Sequence, residues 1–314
     1  MRVLSLFDGI ACGRVALERI GVPIEVYYAS EIDKYAIGIT QYNYPNTIQL
    51  GDVEKIDFKQ FEGKVDLLIG GSPCVDFSTG KAFKGETKGL NGDKSKLFWE
   101  FVRAIKECKP KYFLLENVKM RSDYEQIINN ALGIEPILFD SASVSAQQRI
   151  RLYWTNIKTT QNGLFRKLKT AIPQPNDMNI LLKDIVLSLN EVDSKYIYDL
   201  PFEYLGKDKK IEAYIMAEKG FLKTMREVYN LNNKCGTLMT DGSGGNRQKK
   251  VYQDGVCRKL TPLEYERLQT LPDNYTEFGI IGGKKVKISD SQRYNTCGNG
   301  WTVDIIAHIF SYIS

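Results

Sequence analysis

The sequence predicts an α/β fold, a mostly parallel sheet covered by helices, with a smaller irregular domain after it. Through the first half, short apolar runs alternate with segments of helical periodicity, the succession that builds a parallel sheet buried on both faces. Beyond about residue 158 that succession weakens into turn-rich stretches, TTQNG, IPQPND and TDGSGGNRQKK. The tail, 299–313, returns to a strongly apolar helical pattern and is expected to pack back onto the first domain.

The elements follow in order. Residues 3–7 read as a strand, a glycine-bearing turn comes next, and 14–20 read as a helix. Residues 25–30 and 65–69 are the next two strands. A helix over 96–108 carries apolar residues at 97, 98, 101, 102 and 105, which share one helical face. Residues 112–115, 136–141 and 150–157 are further strands, and helical signals then stay short until 261–271. These readings give one domain over 1–160, a second over 161–287, and a C-terminal segment, 288–314, that returns to the first. Ligands of such sheets bind beyond the carboxyl ends of the strands. The loops after Phe7, Ser30, Ile69 and Leu115 are therefore expected to share one crevice.

Composition narrows the function. A chain of 314 residues, 43% hydrophobic and 26% charged, is ordinary for a globular protein with a substantial core. No run approaches the length of a membrane span, and MRVLSLFDGIACG lacks the apolar stretch of a secretory signal, so a cytoplasmic protein without membrane contact is expected. The six cysteines (12, 74, 108, 235, 257 and 297) form no C-x-x-C pair, which fits a reducing compartment and suggests no zinc site. His308, the one histidine, lies inside an apolar run, so chemistry resting on imidazole or on a metal is not expected. The net charge of +5 is mildly basic, with clusters at 207–210, 247–250 and 284–287. A polyanion partner is allowed by this balance, and solvated loops look the same.

The unusual residues stand in the crevice loops. LFDGIACG ends the first strand on a glycine turn that lets backbone amides approach a ligand, but its spacing is not G-x-G-x-x-G. Glu31 follows the second strand, where an acid can bind a ribose diol, and Asp52 can accept from an adenine amino group. This set suggests an adenosine-containing cofactor; turn chemistry in any α/β protein reads similarly. In GGSPCVDFS, Cys74 sits in the turn after a buried strand, stiffened by Pro73, where backbone amides and basic neighbours can activate a thiol. Glu116, in YFLLENV, is expected to project into the same crevice with burial keeping a proton available. QQRIRLYW sets Arg149 and Arg151 at alternate positions of a strand, so both are expected on one face, suited to a phosphate or carboxylate. Taken singly, Cys74 could be a core thiol, Glu116 a helix cap and the arginines a solvated edge.

In order along the chain, LFDGIACG, SEIDKYA, GDVEKI, GGSPCVDFS, ENV, QQRIRLYW, RKLTPLEYERLQTLPDNYT and CGNGWTVDIIAHIF resemble the motifs of the DNA (cytosine-5)-methyltransferases. The resemblance runs over nearly the whole length. It departs at Val75, where the family usually has glutamine, and at Trp301, where many bacterial members have a small or aliphatic residue; the animal de novo enzymes share both features. The resemblance implies a Rossmann-like S-adenosylmethionine-dependent fold whose second domain recognises the target. It further implies that Cys74 adds to C6 of a flipped cytosine, that Glu116 engages N3 and the exocyclic amine, that Arg151 holds the O2 edge and that Arg149 positions the loop and substrate. S-adenosyl-L-methionine, leaving as S-adenosyl-L-homocysteine, would be bound by Phe7, Asp8, Gly9, Ile10, Glu31, Ile32, Asp52, Val53, Pro73, Leu97, Asn299, Gly300 and Trp301.

The resemblance makes residues 79–95 a lid over the extruded base, with Ser78, Lys81 and Lys84 touching the nucleic acid. Arg247, Lys249 and Lys250 would help the second domain read double-stranded DNA from its major groove. A monomer acting on bacterial or phage DNA, in the company of a restriction endonuclease or in a phage, is the expected setting. A tRNA methyltransferase of the same fold is the alternative reading. A catalytically silent DNA-binding homologue is disfavoured because the thiol, the glutamate and the arginines are all present. A small-molecule methyltransferase leaves the second domain unexplained.

Overall fold

The computed structural model describes residues 1–72, 96–162, 167–198, 200–216, 225–240 and 247–313. The chain forms two compact units. Residues 1–139, 150–174 and 305–314 make the first; residues 140–149 and 175–304 make the second. The expected divisions at 160 and 287 differ from these. The first unit runs on to Gln174, the short segment 140–149 belongs to the second, and the return to the first begins at Ile305.

The first unit is built on β1 (Arg2–Leu6), α1 (Cys12–Arg19), β2 (Val26–Ser30), α2 (Lys34–Asn43), β3 (Ile48–Gln49), β4 (Leu67–Gly71), α3 (Leu97–Cys108), β5 (Tyr112–Val118), α4 (Ser122–Leu132), β6 (Ile134–Glu135), β7 (Ile137–Asp140), β8 (Ile150–Thr155), β9 (Thr159–Asn162) and β10 (Lys167–Thr170). Seven strands form one sheet in the order β3-β2-β1-β4-β5-β8-β7, parallel from β3 to β5, with β8 antiparallel to β5. The core strands are nearly continuous apolar runs, as burial on both faces requires: Val3, Leu4, Leu6, Leu67, Leu68, Ile69, Leu114 and Leu115 are all buried. Phe98, Phe101 and Val102 of α3 pack on this sheet beside Leu4, Leu6 and Leu68. The apolar face read at 96–108 is thus the buried face of α3, although Leu97 itself is only partly buried against that core.

In the second unit, five strands align as β11 (Phe202–Tyr204), β12 (Ile211–Ile215), β13 (Glu227–Tyr229), β14 (Lys250–Gln253) and β15 (Val256–Lys259). The domain expected to be irregular thus contains a five-stranded sheet. Its strands span three to five residues each, too few for apolar alternation to show in the sequence. After them come α5 (Pro262–Leu268), the hairpin β16 (Phe278–Ile281) and β17 (Lys284–Lys287), α6 (Asp290–Asn299) and α7 (Val303–Phe310). Thr261 caps α5: its side chain accepts from the Glu264 amide while the Glu264 carboxylate accepts from the Thr261 amide. The same Glu264 forms an ion pair with Arg258 at 2.7 Å, both side chains fully buried.

Candidate active site

Three loops at the carboxyl edge of the parallel strands are tied together by hydrogen bonds. Phe7, Gly9 and Ala11 all have left-handed backbone, with φ of 58°, 60° and 59°. Such a series is strained for side-chain-bearing residues and marks a turn shaped for a purpose. At Gly9 the conformation itself favours glycine, because a Cβ there would meet nothing within 4 Å. Gly9 donates its amide to Glu31 Oε2 at 2.8 Å, and Glu31 Oε1 accepts from the amides of Ile32 and Asp33 at 2.7 and 2.9 Å. Both carboxylate oxygens are thereby oriented. Ser30 Oγ donates to Gly51 O at 2.7 Å, which brings in the third loop.

Asp8 is the unusual group here. Tyr27 Oη donates to its Oδ1 at 2.7 Å, while Oδ2 is buried with no hydrogen-bond partner among the described residues. Burial pushes its carboxyl up to about 7, with Glu31 adding to the rise and Ser5, Tyr27 and Arg14 opposing it. Ile32 is 77% exposed, whereas the side chains of Ile10 and Val53 are buried in the core. Asp52 accepts from the Glu54 amide at 3.1 Å.

Next to this turn stand β4 and β5, where Gly71 lies opposite Glu116. The Glu116 carboxylate meets Arg151 Nε at 2.9 Å, with little exposure of either side chain. The pair is diagonal across β5 and β8, in which Glu116 lies opposite Tyr153 and Val118 opposite Arg151. Asn117, turned the other way, donates through Nδ2 to Ser72 Oγ at 3.1 Å. That bond fixes Ser72, the residue that follows β4. Pro73, Cys74, Ser78, Lys81 and Lys84, with the lid expected over 79–95, lie outside the described residues.

A carboxylate oriented by a guanidinium at the carboxyl end of a parallel sheet, with one strand between it and a strained glycine turn, is suited to acid–base work on a bound group. Residues 1–314 match the family described as C-5 cytosine-specific DNA methylase. The chain belongs to that family. It is therefore a methyltransferase of the DNA (cytosine-5) class, as its ordered motifs suggested. Type II methyltransferase M.HhaI of Haemophilus parahaemolyticus is 27% identical over 98% of this chain and 93% of its own. Orphan methyltransferase M.Rho11sI of Bacillus phage rho11s is 44% identical over 83% of this chain and 57% of its own. Among solved structures, the Entamoeba histolytica methyltransferase EhMeth shares the fold with a TM-score of 0.73 at 17% identity, covering 100% of this chain and 97% of that one. A Spodoptera frugiperda DNMT2 gives 0.66 at 18% identity, covering 99% of each.

Further motif residues of the methylase lie in its second unit, and two expectations change there. Arg149 does not share a strand face with Arg151, because β8 starts at Ile150 and the alternation of a strand does not reach back to 149. The Arg149 guanidinium is buried and donates to the carbonyls of Leu238, Gly298 and Gly300 at 3.4, 3.1 and 3.0 Å. It caps the C-terminal end of α6, whose last carbonyls have no partner within the helix. Gln269 joins it: Nε2 donates to Cys297 O at 2.6 Å and Gly300 O at 3.0 Å, and Oε1 accepts from Gln147 and Thr302, each at 2.9 Å. These bonds hold Gly300 between the exposed Asn299 and the half-buried Trp301. Neither Gln147 nor Gln269 is among the residues expected from sequence, although both stand inside recognised motifs.

Lys249 and Lys250, expected at the DNA surface, are instead buried. Lys250 Nζ donates to Met225 O at 2.7 Å and Gln248 O at 3.0 Å, and burial lowers its pKa to about 7. Lys249 Nζ lies 5.8 Å from the centre of the Tyr229 ring, and burial lowers its pKa too. Only Arg247 of that cluster keeps partial exposure.

Proposed function

We propose that this methylase transfers a methyl group from S-adenosylmethionine to C5 of a cytosine flipped out of double-stranded DNA, through a transient bond between Cys74 and C6. The observation that carries this reading is the Glu116–Arg151 pair at 2.9 Å, placed where β4 leads into the P-C loop. Its test is bisulfite sequencing of DNA from cells expressing the protein, together with transfer of labelled methyl groups to duplex DNA or to tRNA in vitro. Methylcytosine in DNA is expected; label entering tRNA alone overturns the choice of substrate.

The first unit's residues fit such a cofactor. Asp8 Oδ2 is a buried acceptor in want of a donor, the Glu31 carboxylate is oriented by three amides, and the Gly9 turn admits close backbone approach. Phe7, Ile32, Asp52 and Leu97 supply the flanking side chains, while Ile10 and Val53 can offer backbone alone. Asn299, Gly300 and Trp301 keep the cofactor role that the resemblance implies. When bound, S-adenosylmethionine supplies an electrophilic methyl group.

The protein's own groups handle the base. The Cys74 thiolate bonds to C6, which makes C5 nucleophilic. Glu116 stabilises the charge that develops at N3 and the exocyclic amine. Arg151 fixes the Glu116 carboxylate and faces the O2 edge. Loss of the C5 proton and release of the thiol restore the aromatic ring. Extruding the base costs a few kcal/mol of unstacking, offset by contacts in the site. A phage setting matches the origin of M.Rho11sI, and a companion restriction endonuclease is the setting the resemblance implies.

A further inference from the structure

With Lys249 and Lys250 in its core, the second unit must meet a polyanion through other cations, and the hairpin β16–β17 offers them. Its strands pair over four positions, from Phe278 opposite Lys287 to Ile281 opposite Lys284. Gly282 and Gly283 both have positive φ, 58° and 75°, the signature of a tight two-residue turn whose twist suits the strands. The hairpin therefore presents a set geometry in place of a floppy loop. The two strands are chemically unlike. β16 is Phe-Gly-Ile-Ile and partly buried, while β17 is Lys-Lys-Val-Lys with Lys284, Lys285 and Lys287 exposed.

The acids of the flanking sequence are engaged in ion pairs of their own. Asp273 pairs with Arg267 at 2.6 Å, Asp290 with Lys195 at 2.7 Å, Glu266 with Arg293 at 2.8 Å and Glu264 with Arg258 at 2.7 Å. Glu277, at the foot of the hairpin, meets Lys287 at 3.4 Å, and that lysine remains 71% exposed. Lys285 Nζ lies 4.0 Å from the centre of the Phe278 ring, which holds its stem along the strand. The hairpin itself therefore carries three exposed lysines against one adjoining carboxylate, that of Glu277. Spacing suits a nucleic-acid backbone as well, since an antiparallel strand rises ~3.4 Å per residue, the same as the rise per nucleotide of one DNA strand measured along the duplex axis. Lys285 and Lys287 then stand about two nucleotide rises apart on one face, with Lys284 on the other.

We infer that β17 is a phosphate-contacting strand, through which Lys284, Lys285 and Lys287 bind the DNA backbone independently of sequence. The inference rests on the reading of DNA as substrate. It assigns the hairpin to affinity and leaves recognition of the target to other residues.

The test measures dissociation constants for cognate and unrelated duplexes across a salt series, using the full chain loaded with S-adenosylhomocysteine. Lys284→Gln/Lys285→Gln/Lys287→Gln is expected to weaken both duplexes alike and to lower the slope of log K against log salt by about 2 to 3, near 0.9 for each phosphate no longer neutralised. Lys55→Gln/Lys59→Gln/Lys64→Gln removes equal charge from exposed sites of the first unit and should leave the slope in place. An unchanged slope in the hairpin variant overturns the inference, as does an equal fall in the control, which would make the effect one of net charge. An unchanged slope with new aggregation would show that the lysines merely protect an open sheet edge. Lys285→Glu, a single exposed change on the face shared with Lys287, covers the case of a triple variant that folds poorly and should raise both dissociation constants. A parent protein that methylates DNA while the hairpin variant binds normally sinks this inference alone; a parent that methylates no DNA sinks the reading beneath it.

Discussion

Arg151 holds Glu116: its Nε stands 2.9 Å from the carboxylate, across two antiparallel strands and with little solvent between. The pairing orients the carboxylate before any base arrives. Glu116→Gln is expected to slow turnover by ~100-fold or more, the usual scale for removal of an acid–base group. Binding of S-adenosylhomocysteine, followed by calorimetry, should stay close to that of the parent. Arg151→Ala should slow turnover too and also cost about 2 kcal/mol of stability, because a largely buried carboxylate is left without its countercharge.

The thiol is tested by trapping. Duplex DNA carrying 5-fluorocytosine at the target should form an adduct with the parent protein that survives denaturing electrophoresis. Cys74→Ser should bind the same duplex and form none, since a hydroxyl at neutral pH is a poor nucleophile. An adduct in the serine variant would take residue 74 out of the mechanism.

Asp8 ties stability to pH. Burial raises its carboxyl from 3.8 to about 7, so the folded protein keeps a proton that the unfolded chain releases in that window. Its contribution to stability therefore falls as pH climbs from about 4 to about 7 and is least favourable above. Asp8→Asn, neutral at every pH, should melt higher than the parent at pH 8 and near it at pH 4.5. Equal gains at both values would show that ionisation is not the cause.

Lys250 has the opposite sign. Its pKa falls from 10.5 to about 7, so the unfolded chain binds the extra proton between those values and stability rises with pH across them. Lys250→Met should flatten that rise in denaturant titrations. It should leave the salt dependence of DNA binding unchanged, because the ammonium is spent on Met225 O and Gln248 O.

Gln269→Leu removes a buried amide with four hydrogen bonds and strips Cys297 O of its donor from that side chain. A loss of about 2 to 4 kcal/mol is expected in chemical denaturation, in the range for unsatisfied buried carbonyls. A loss under half of that would mean that Arg149 alone holds the end of α6.

Legibility follows the length and strength of each pattern. The helix at Leu97–Cys108 and the strand from Tyr112 are plain because apolar side chains recur with their period. Apolar residues alone end that strand at Leu115, yet it runs to Val118, since Glu116 and Asn117 are polar residues that remain in the ladder. The expected strand at 65–69 lies at Leu67–Gly71, where two glycines extend the sheet. Strands of the second unit escape the eye because they are brief. Glu116 and Arg151 stand out in the sequence by motif and position, whereas the diversion of Arg149 to helix carbonyls depends on where β8 begins. Burial of Lys249 and Lys250 leaves no mark in the sequence, because residues of that type in a basic cluster ordinarily face water. Tyr27, which holds Asp8, looks like any strand aromatic.

The reversal of β8 decides which rim of the sheet receives a guanidinium. Running against β5, it delivers its opening residues, not its closing ones, to the edge where β5 finishes. With the same six residues laid down in the other direction, Arg151 would move three places toward the far rim, about 10 Å away at ~3.4 Å per residue. The contact with Glu116 would then be lost, so the Glu116–Arg151 pair depends on the polarity of one strand.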